Sequence, residues 1–169
     1  MKKTIITTLF AALALTGFCG TTPTDSNQVT VAYNQPDKFM DFKSDRMGSE
    51  DDQKYLMELF TAHLTQQASK LLESGQKLEV KFNDIDLAGA FEPWRGPQMD
   101  NVRIMKEIYP PRMKLEFRLL AADGKVISEG KRELVDLSYQ SGMLVSNSDP
   151  YRYDKNLLTD WLRREFTKK

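Results

Sequence analysis

The chain has 169 residues, with 24 Lys+Arg set against 24 Asp+Glu, one histidine and one cysteine. That balance leaves no basic stripe for nucleic acid and no polybasic segment for anionic lipid. A lone cysteine also rules out an internal disulfide and a cysteine-built metal site, and the length suits one hydrophobic core better than two.

Residues 1–20 read as a signal peptide. Lys2 and Lys3 supply a positive start, an apolar run interrupted only by threonines extends from Ile5 to Leu15, and Gly17-Phe18-Cys19 offers small residues two apart for cleavage. The run is too short and too rich in threonine for a membrane span, which needs about 20 predominantly apolar residues. Leu15-Thr-Gly-Phe-Cys19 resembles a lipobox, but Phe18 stands where a small residue is wanted. Ordinary cleavage near Cys19 or Gly20 is therefore preferred, with a lipid anchor through Cys19 as the alternative. The implied location is periplasmic or secreted. Without Lys2 and Lys3 the basic count falls from 24 to 22 against 24 acidic residues, a formal charge of −2. Residues 21–28 form a polar, flexible leader, and 29–169 should be a single domain.

Val29-Thr-Val-Ala-Tyr33 alternates and predicts a first strand, ended by Asn34-Gln-Pro-Asp37. Residues 38–48 have no clean period and read as a loop whose aromatics tuck against the core. From 49 to 74 the pattern is helical. Ser49 with Asp52 resembles a capping box, Glu50, Asp51 and Asp52 suit the positive end of the helix dipole, and Leu56, Leu59, Phe60, Leu64, Ala68, Leu71 and Leu72 make an apolar stripe before Gly75. Lys77-Leu-Glu-Val-Lys-Phe-Asn83 alternates strictly, and the phase then changes in Asp84-Ile-Asp-Leu-Ala-Gly89, which predicts a bulge near Asn83 or Asp84. A strand–helix–strand order of this length implies that the first two strands run parallel. Residues 90–112 change character: Glu92-Pro-Trp-Arg-Gly-Pro97 is turn chemistry around an aromatic, and Val102-Arg-Ile-Met105 fits either a short strand or a helical turn.

Residues 112–137 predict a long hairpin with a two-residue type I′ turn at Asp123-Gly124. Counting outward sets Arg118 opposite Glu129, Glu116 opposite Lys131 and Lys114 opposite Glu133. A slip of one residue would misalign all three. The other face carries Met113, Leu115, Phe117 and Leu119, with Phe117 opposite Gly130, while Leu120 and Ile127 pair on the charged face near the tip. Residues 138–148 read as a loop. Asp149-Pro150 then looks like a cap and a first helical position, and Leu157, Leu158, Trp161, Leu162 and Phe166 give the last helix its apolar side. These elements add up to an α+β fold, a mostly antiparallel sheet of about four strands with two helices packed on one face.

Val29-Thr-Val-Ala-Tyr33, Pro36-Asp-Lys-Phe39, Asp84-Ile-Asp-Leu-Ala-Gly89, Pro111-Arg-Met-Lys-Leu-Glu-Phe117 and Asp160-Trp161 together resemble a family of exported proteobacterial proteins known only as a domain of unknown function. The resemblance implies a single domain in the periplasm of a Gram-negative bacterium, or secreted from it. It carries no activity, cofactor or catalytic residue, and residues 138–148 have no part in it.

Trp94, Arg95, Arg103, Tyr109 and Arg112 are the leading binding candidates, because aromatics and arginines are enriched in binding hot spots and loops on a rigid scaffold carry recognition. The plain alternative is that Trp94 closes the core while the arginines pair with acids. Asp84 and Asp86 lie two apart on one side of a strand, as a hard cation or shared proton would require, although structural carboxylates do the same. His63, the sole histidine, flanks the apolar stripe. No phosphate loop, nucleophile elbow or zinc spacing is present, so no cofactor or metal is expected. The sequence therefore points to an exported binding or interaction module for an envelope protein or small ligand, acting through residues 90–112 and the hairpin tip, and leaves its oligomeric state open. The rival is a periplasmic hydrolase built on Asp84, Asp86 and His63.

Overall fold

The computed structural model of the chain describes residues 28–141 and 148–167. The expected signal peptide with Cys19, nearly all of the leader, and residues 142–147 of the expected loop lie outside the described residues.

Four strands make the main sheet in the order β1 (Val29–Tyr33), β2 (Lys77–Asp86), β5 (Arg112–Leu120) and β6 (Val126–Val135). β1 runs parallel to β2, and the other two pairings are antiparallel. Two short strands, β3 (Ala90–Phe91) and β4 (Arg103–Ile104), pair separately, so the 102–105 stretch is a strand rather than a helical turn. The helices α1 (Glu50–Ala68) and α2 (Arg152–Phe166) cover one face of the main sheet. The fold is α+β.

Period-two alternation sorts the two faces. Leu78, Val80 and Phe82 of β2 and Met113, Leu115 and Phe117 of β5 are buried against Leu56, Phe60 and Leu64 of α1 and Leu157, Leu158, Trp161 and Leu162 of α2. The Phe117 ring meets the edge of Trp161 at 5.8 Å, and the Tyr33 hydroxyl donates to the Met57 carbonyl at 2.9 Å, tying β1 to α1. A bulge lies between Phe82 and Asp84, where the change of phase predicted it. It keeps Ile85 inward and turns Asp84 and Asp86 to the open face. That face is a grid of opposite charges: Arg118 lies 3.2 Å from Glu79 and 3.4 Å from Glu129, Lys131 lies 2.9 Å from Glu116, and Lys114 faces Asp84 and Glu133.

Three local expectations are corrected. The hairpin turn is a three-residue loop: Gly124 N donates to the Ala121 carbonyl at 2.9 Å, Ala121 N donates to Lys125 at 2.8 Å, and only Gly124 has a positive φ, 83°. Asp123 instead accepts from Lys125 N at 3.1 Å, which favours a type I turn closed by a left-handed glycine. The extra residue is absorbed by a bulge, so Leu120 faces Val126, Ile127 has no partner in β5, and every pair from Arg118–Glu129 onward keeps its expected register. α1 stops at Ala68 rather than continuing to 74. Its last carbonyls are taken up by tight turns, with Leu71 N and Leu72 N both donating to Ala68, and these keep the two leucines against the core. α2 starts at Arg152, because Asp149 caps the preceding turn, accepting from Tyr151 N at 2.9 Å.

Ser49 caps α1 by accepting from Asp52 N at 3.0 Å, as its sequence predicts. Phe60 is inaccessible to solvent at the centre of the helix–sheet contact. Phe60→Ala should therefore destabilise the protein by about 3–5 kcal/mol, against about 1 kcal/mol for Ser49→Ala, both read from urea unfolding midpoints.

Candidate functional site

Between the end of β2 and the start of β5 the chain leaves the sheet and builds a lobe from residues 88–111. Gly89, at φ 80°, makes this exit possible, since a Cβ there would lie 2.8 Å from Met105 Sδ and 2.9 Å from the Ile104 carbonyl. Arg103 locks the lobe to the sheet. Its guanidinium donates to both oxygens of Asp41, at 2.9 and 3.2 Å, and to the carbonyls of Gly89 at 3.0 Å and Lys43 at 2.9 Å, with the Phe91 ring beneath it at 4.5 Å. Tyr139 provides a second fastening, donating to the Lys106 carbonyl at 2.7 Å while its ring packs edge-on against Tyr153.

Two buried carboxylates, one inside the lobe and one beside it on α2, are pushed in opposite directions by their surroundings. Glu92 is 1% exposed and accepts from Lys106, from the Tyr109 hydroxyl at 2.9 Å and from Arg95. The Lys106 ammonium, helped by those other donors, holds the Glu92 carboxyl down to about 2. Asp154, in the first turn of α2 and equally buried, accepts from Ala88 N at 2.9 Å. Burial pushes its carboxyl up to about 7, because two backbone donors and the more distant Arg103 charge only partly replace lost hydration.

A cleft of about 410 Å³ opens where the lobe meets the open face of the sheet. Asp84 and Asp86 enter it from β2, Arg112 and Lys114 from β5, and Ile108 and Met40 flank it, 71% and 74% exposed. Asp84 accepts from Met40 N at 2.9 Å. Burial, followed by the neighbouring Asp41 charge, raises the Asp86 carboxyl, and Arg112 opposite it pulls the other way. Asp41 itself is occupied by Arg103. Among the described residues no group of three or more His, Cys, Asp or Glu is arranged to hold a metal ion.

The five binding candidates therefore divide. Arg95 and Tyr109 meet on Glu92, Arg103 is locked on Asp41, Arg112 lines the cleft with Asp84 and Asp86, and Trp94 stands in solvent, 73% exposed. His63 lies elsewhere, in the seam between the helices, where its Nε2 is 3.0 Å from the Lys155 carbonyl and 2.9 Å from the Thr159 hydroxyl. The helices cover the opposite face from Asp84 and Asp86, so the fold does not gather this trio. Nor does the lobe fold over Leu120 and Ile127. It joins the sheet at the Asp86–Arg112 end, whereas the hairpin tip lies at the Lys77–Leu120 end, about 25–30 Å away by strand rise. Glu92, Lys106, Asp41 and Asp154 escaped sequence reasoning. Glu92 alone carried a signal, as one of only three acids in 90–111, a stretch that also holds Arg95, Arg103 and Lys106.

The family model described as "Protein of unknown function (DUF3016)" matches residues 27–164, a span that includes every strand and nearly all of α2. No curated protein and no solved structure matches the chain.

Glu92→Ala should strand three donors and loosen the lobe, exposing 90–111 to limited proteolysis while the far-ultraviolet circular dichroism of the helices is retained. Asp154 predicts a pH effect. When folded it keeps its proton up to about 7, when unfolded only below about 3.8, so the folded state binds the extra proton between those values and stability falls as pH rises through them. Glu92 acts in the opposite sense, adding stability above about 4.5 that is lost as pH falls toward about 2. Asp154→Asn, which keeps an oxygen for Ala88 N, should flatten the decline in urea midpoint between about pH 4 and pH 7 relative to the wild type.

Proposed function

We propose that this chain, which belongs to the DUF3016 family and takes no activity from it, is a small exported binding protein of the cell envelope. Recognition is assigned to the fastened lobe and the adjoining cleft. The observation that carries this reading is an exposed indole on a fastened turn: Trp94 is 73% exposed, while Arg95 after it bonds to Glu92, which Lys106 and Tyr109 also hold. A large aromatic held on a pre-ordered backbone loses little conformational freedom on binding, and tryptophan and arginine dominate interface energetics. The cleft adds complementary chemistry. Met40 and Ile108 offer apolar contact, Asp86 accepts hydrogen bonds and Arg112 donates them, which suits an extended segment of an envelope protein or a small zwitterionic ligand.

Export is supported by the N-terminal pattern of Lys2 and Lys3, an apolar run and small residues before Cys19. Among the described residues no helix is long and apolar enough to cross a membrane. Cleavage near Cys19 or Gly20 is the preferred reading, with a lipid on Cys19 as the alternative.

Two measurements check the proposal. Intact-mass analysis of the chain recovered from the periplasm should show loss of about 19 or 20 residues, and retention of Met1 or recovery only from the cytoplasm would defeat the export reading. A photoreactive residue in place of Trp94 should give a discrete cross-linked product in intact cells, whereas one in place of Thr30, on the open face of β1, should not. A folded Trp94→Ala, Ile108→Ala double variant that keeps every cross-linked partner would assign binding elsewhere.

A further inference from the structure

β6 is ten residues long and, among the described residues, pairs on one side only. Asp136 N donates to the Pro111 carbonyl at 3.4 Å at one end of the hairpin, and Ala121 N donates to Lys125 at the other. Antiparallel alternation then places the bonded pairs at Leu134, Arg132, Gly130 and Ser128, so Glu129, Lys131 and Glu133 aim their N–H and C=O groups away from β5. Arg132 marks this outer side, since its Nη1 donates to the Lys131 carbonyl at 2.9 Å. The side chains of Glu129, Lys131 and Glu133 stand on the open face with alternating sign.

We propose that this edge pairs antiparallel with the same edge of a second copy of the chain, about a two-fold axis through Gly130, to form a continuous eight-stranded sheet. The occupant is assigned by charge. With the axis at Gly130, Glu129 faces Lys131 of the second copy, and the contact occurs twice. The row Glu79–Arg118–Glu129 then runs into Lys131–Glu116–Lys81 of the second copy, six charges that alternate without interruption. Moving the axis to Lys131 would set lysine against lysine and Glu129 against Glu133, and moving it to Arg132 would set two guanidiniums together on the helix side. Like charges directly opposite one another are destabilising, so the Lys131 axis fails on the open face. The Gly130 and Arg132 axes both alternate charge there, and of these two the Gly130 axis avoids setting Arg132 directly opposite its own copy. Gly130 brings no Cβ of its own to the axis, but Arg132 Nη1 lies 2.7 Å from where that Cβ would stand, so the Arg132 head must move off the axis when the copies pair. Arg132 gives up the Lys131 carbonyl in the paired state and keeps Glu165, which it holds at 2.8 and 2.7 Å.

Sedimentation velocity on the chain as recovered from its host tests this directly, with three variants. Lys131→Glu and Glu129→Lys each turn both interface pairs repulsive and should weaken dimerisation by about tenfold or more. An equimolar mixture of these two should dimerise again, because each strand then meets its opposite. Lys131→Pro removes an outward N–H that β5 does not use, and should give a folded monomer. Independently of any substitution, zero-length carbodiimide coupling in a mixture of 15N-labelled and unlabelled chains should yield a mixed-isotope peptide joining Glu129 to Lys131. A wild-type chain that is monomeric at every concentration, a dimer indifferent to a folded Lys131→Pro, or mixed-isotope coupling at other residues would each overturn the proposal.

Discussion

The alternation of β2, β5 and β6 in one fixed register is the constraint on which the rest of this molecule depends. It places Leu115 and Phe117 under the helices and Glu116 and Arg118 in water, and a slip of one residue anywhere along the hairpin would bury the charged set. The break in the alternation of β2, at Asn83, is what lets that strand serve two purposes. Up to Phe82 the strand builds core. Beyond the bulge it sends Ile85 inward while presenting Asp84 and Asp86 to the cleft. An unbulged strand would turn Asp84 toward the helices, at the cost of a buried carboxylate with no partner there.

Legibility in the sequence followed the range of the interactions. Period-two and period-three-and-four patterns reveal their own elements, so β1, β2, the hairpin, both helices and the parallel β1–β2 pairing could be read along the chain. The Asn83 bulge was legible as well, because it changes the phase of alternation. The hairpin turn was not, since Asp123-Gly124 suits two turn types, and the preference of Asp123 for an N–H two residues on decides between them. Nor did 90–111 reveal its order. The lobe is held by Arg103 on Asp41, Tyr139 on Lys106 and Asp154 on Ala88, contacts that reach 62, 33 and 66 residues along the chain. No local pattern encodes such partners. What looked like an irregular loop is a fastened body whose fasteners lie elsewhere in the sequence.

Glu92, inside the lobe, and Asp154, on the helix that fastens it, show how the same side-chain chemistry takes opposite electrostatic roles. Both carboxyls are hidden from water, but Glu92 is met by an ammonium, a guanidinium and a phenol, whereas Asp154 has only backbone donors close to hand. A buried charge is tolerable when several donors replace its lost hydration, and otherwise the group retains its proton. Glu92 is thus an anion at any ordinary pH, and Asp154 is balanced near neutrality at the junction of α2, the sheet and the lobe. Ionising Asp154 places a charge beside the anchor at Ala88, which links the α2 terminus electrostatically to the segment that carries Trp94.

The two edges of the sheet are treated differently, and the difference follows from what each strand touches. β1 also pairs on one side only among the described residues, but it is five residues long and its tyrosine is tied into α1. β6 is twice as long and almost wholly exposed on its outer side, the condition under which natural strands acquire guards. Its guards are a bulge at Ile127, charges on its open face and Arg132 folded across one carbonyl. Charges protect an edge best when a second copy would meet like against like. Here Glu129 and Lys131 flank a glycine symmetrically, so the pattern that stabilises the sheet internally through Arg118 and Glu116 is attractive to its own two-fold image. What opposes pairing is then the bulge at Ile127 and Arg132, whose Nη1 donates to the Lys131 carbonyl and lies over Gly130. Because the guanidinium keeps Glu165, releasing the carbonyl frees one donor to water rather than uncovering a buried charge.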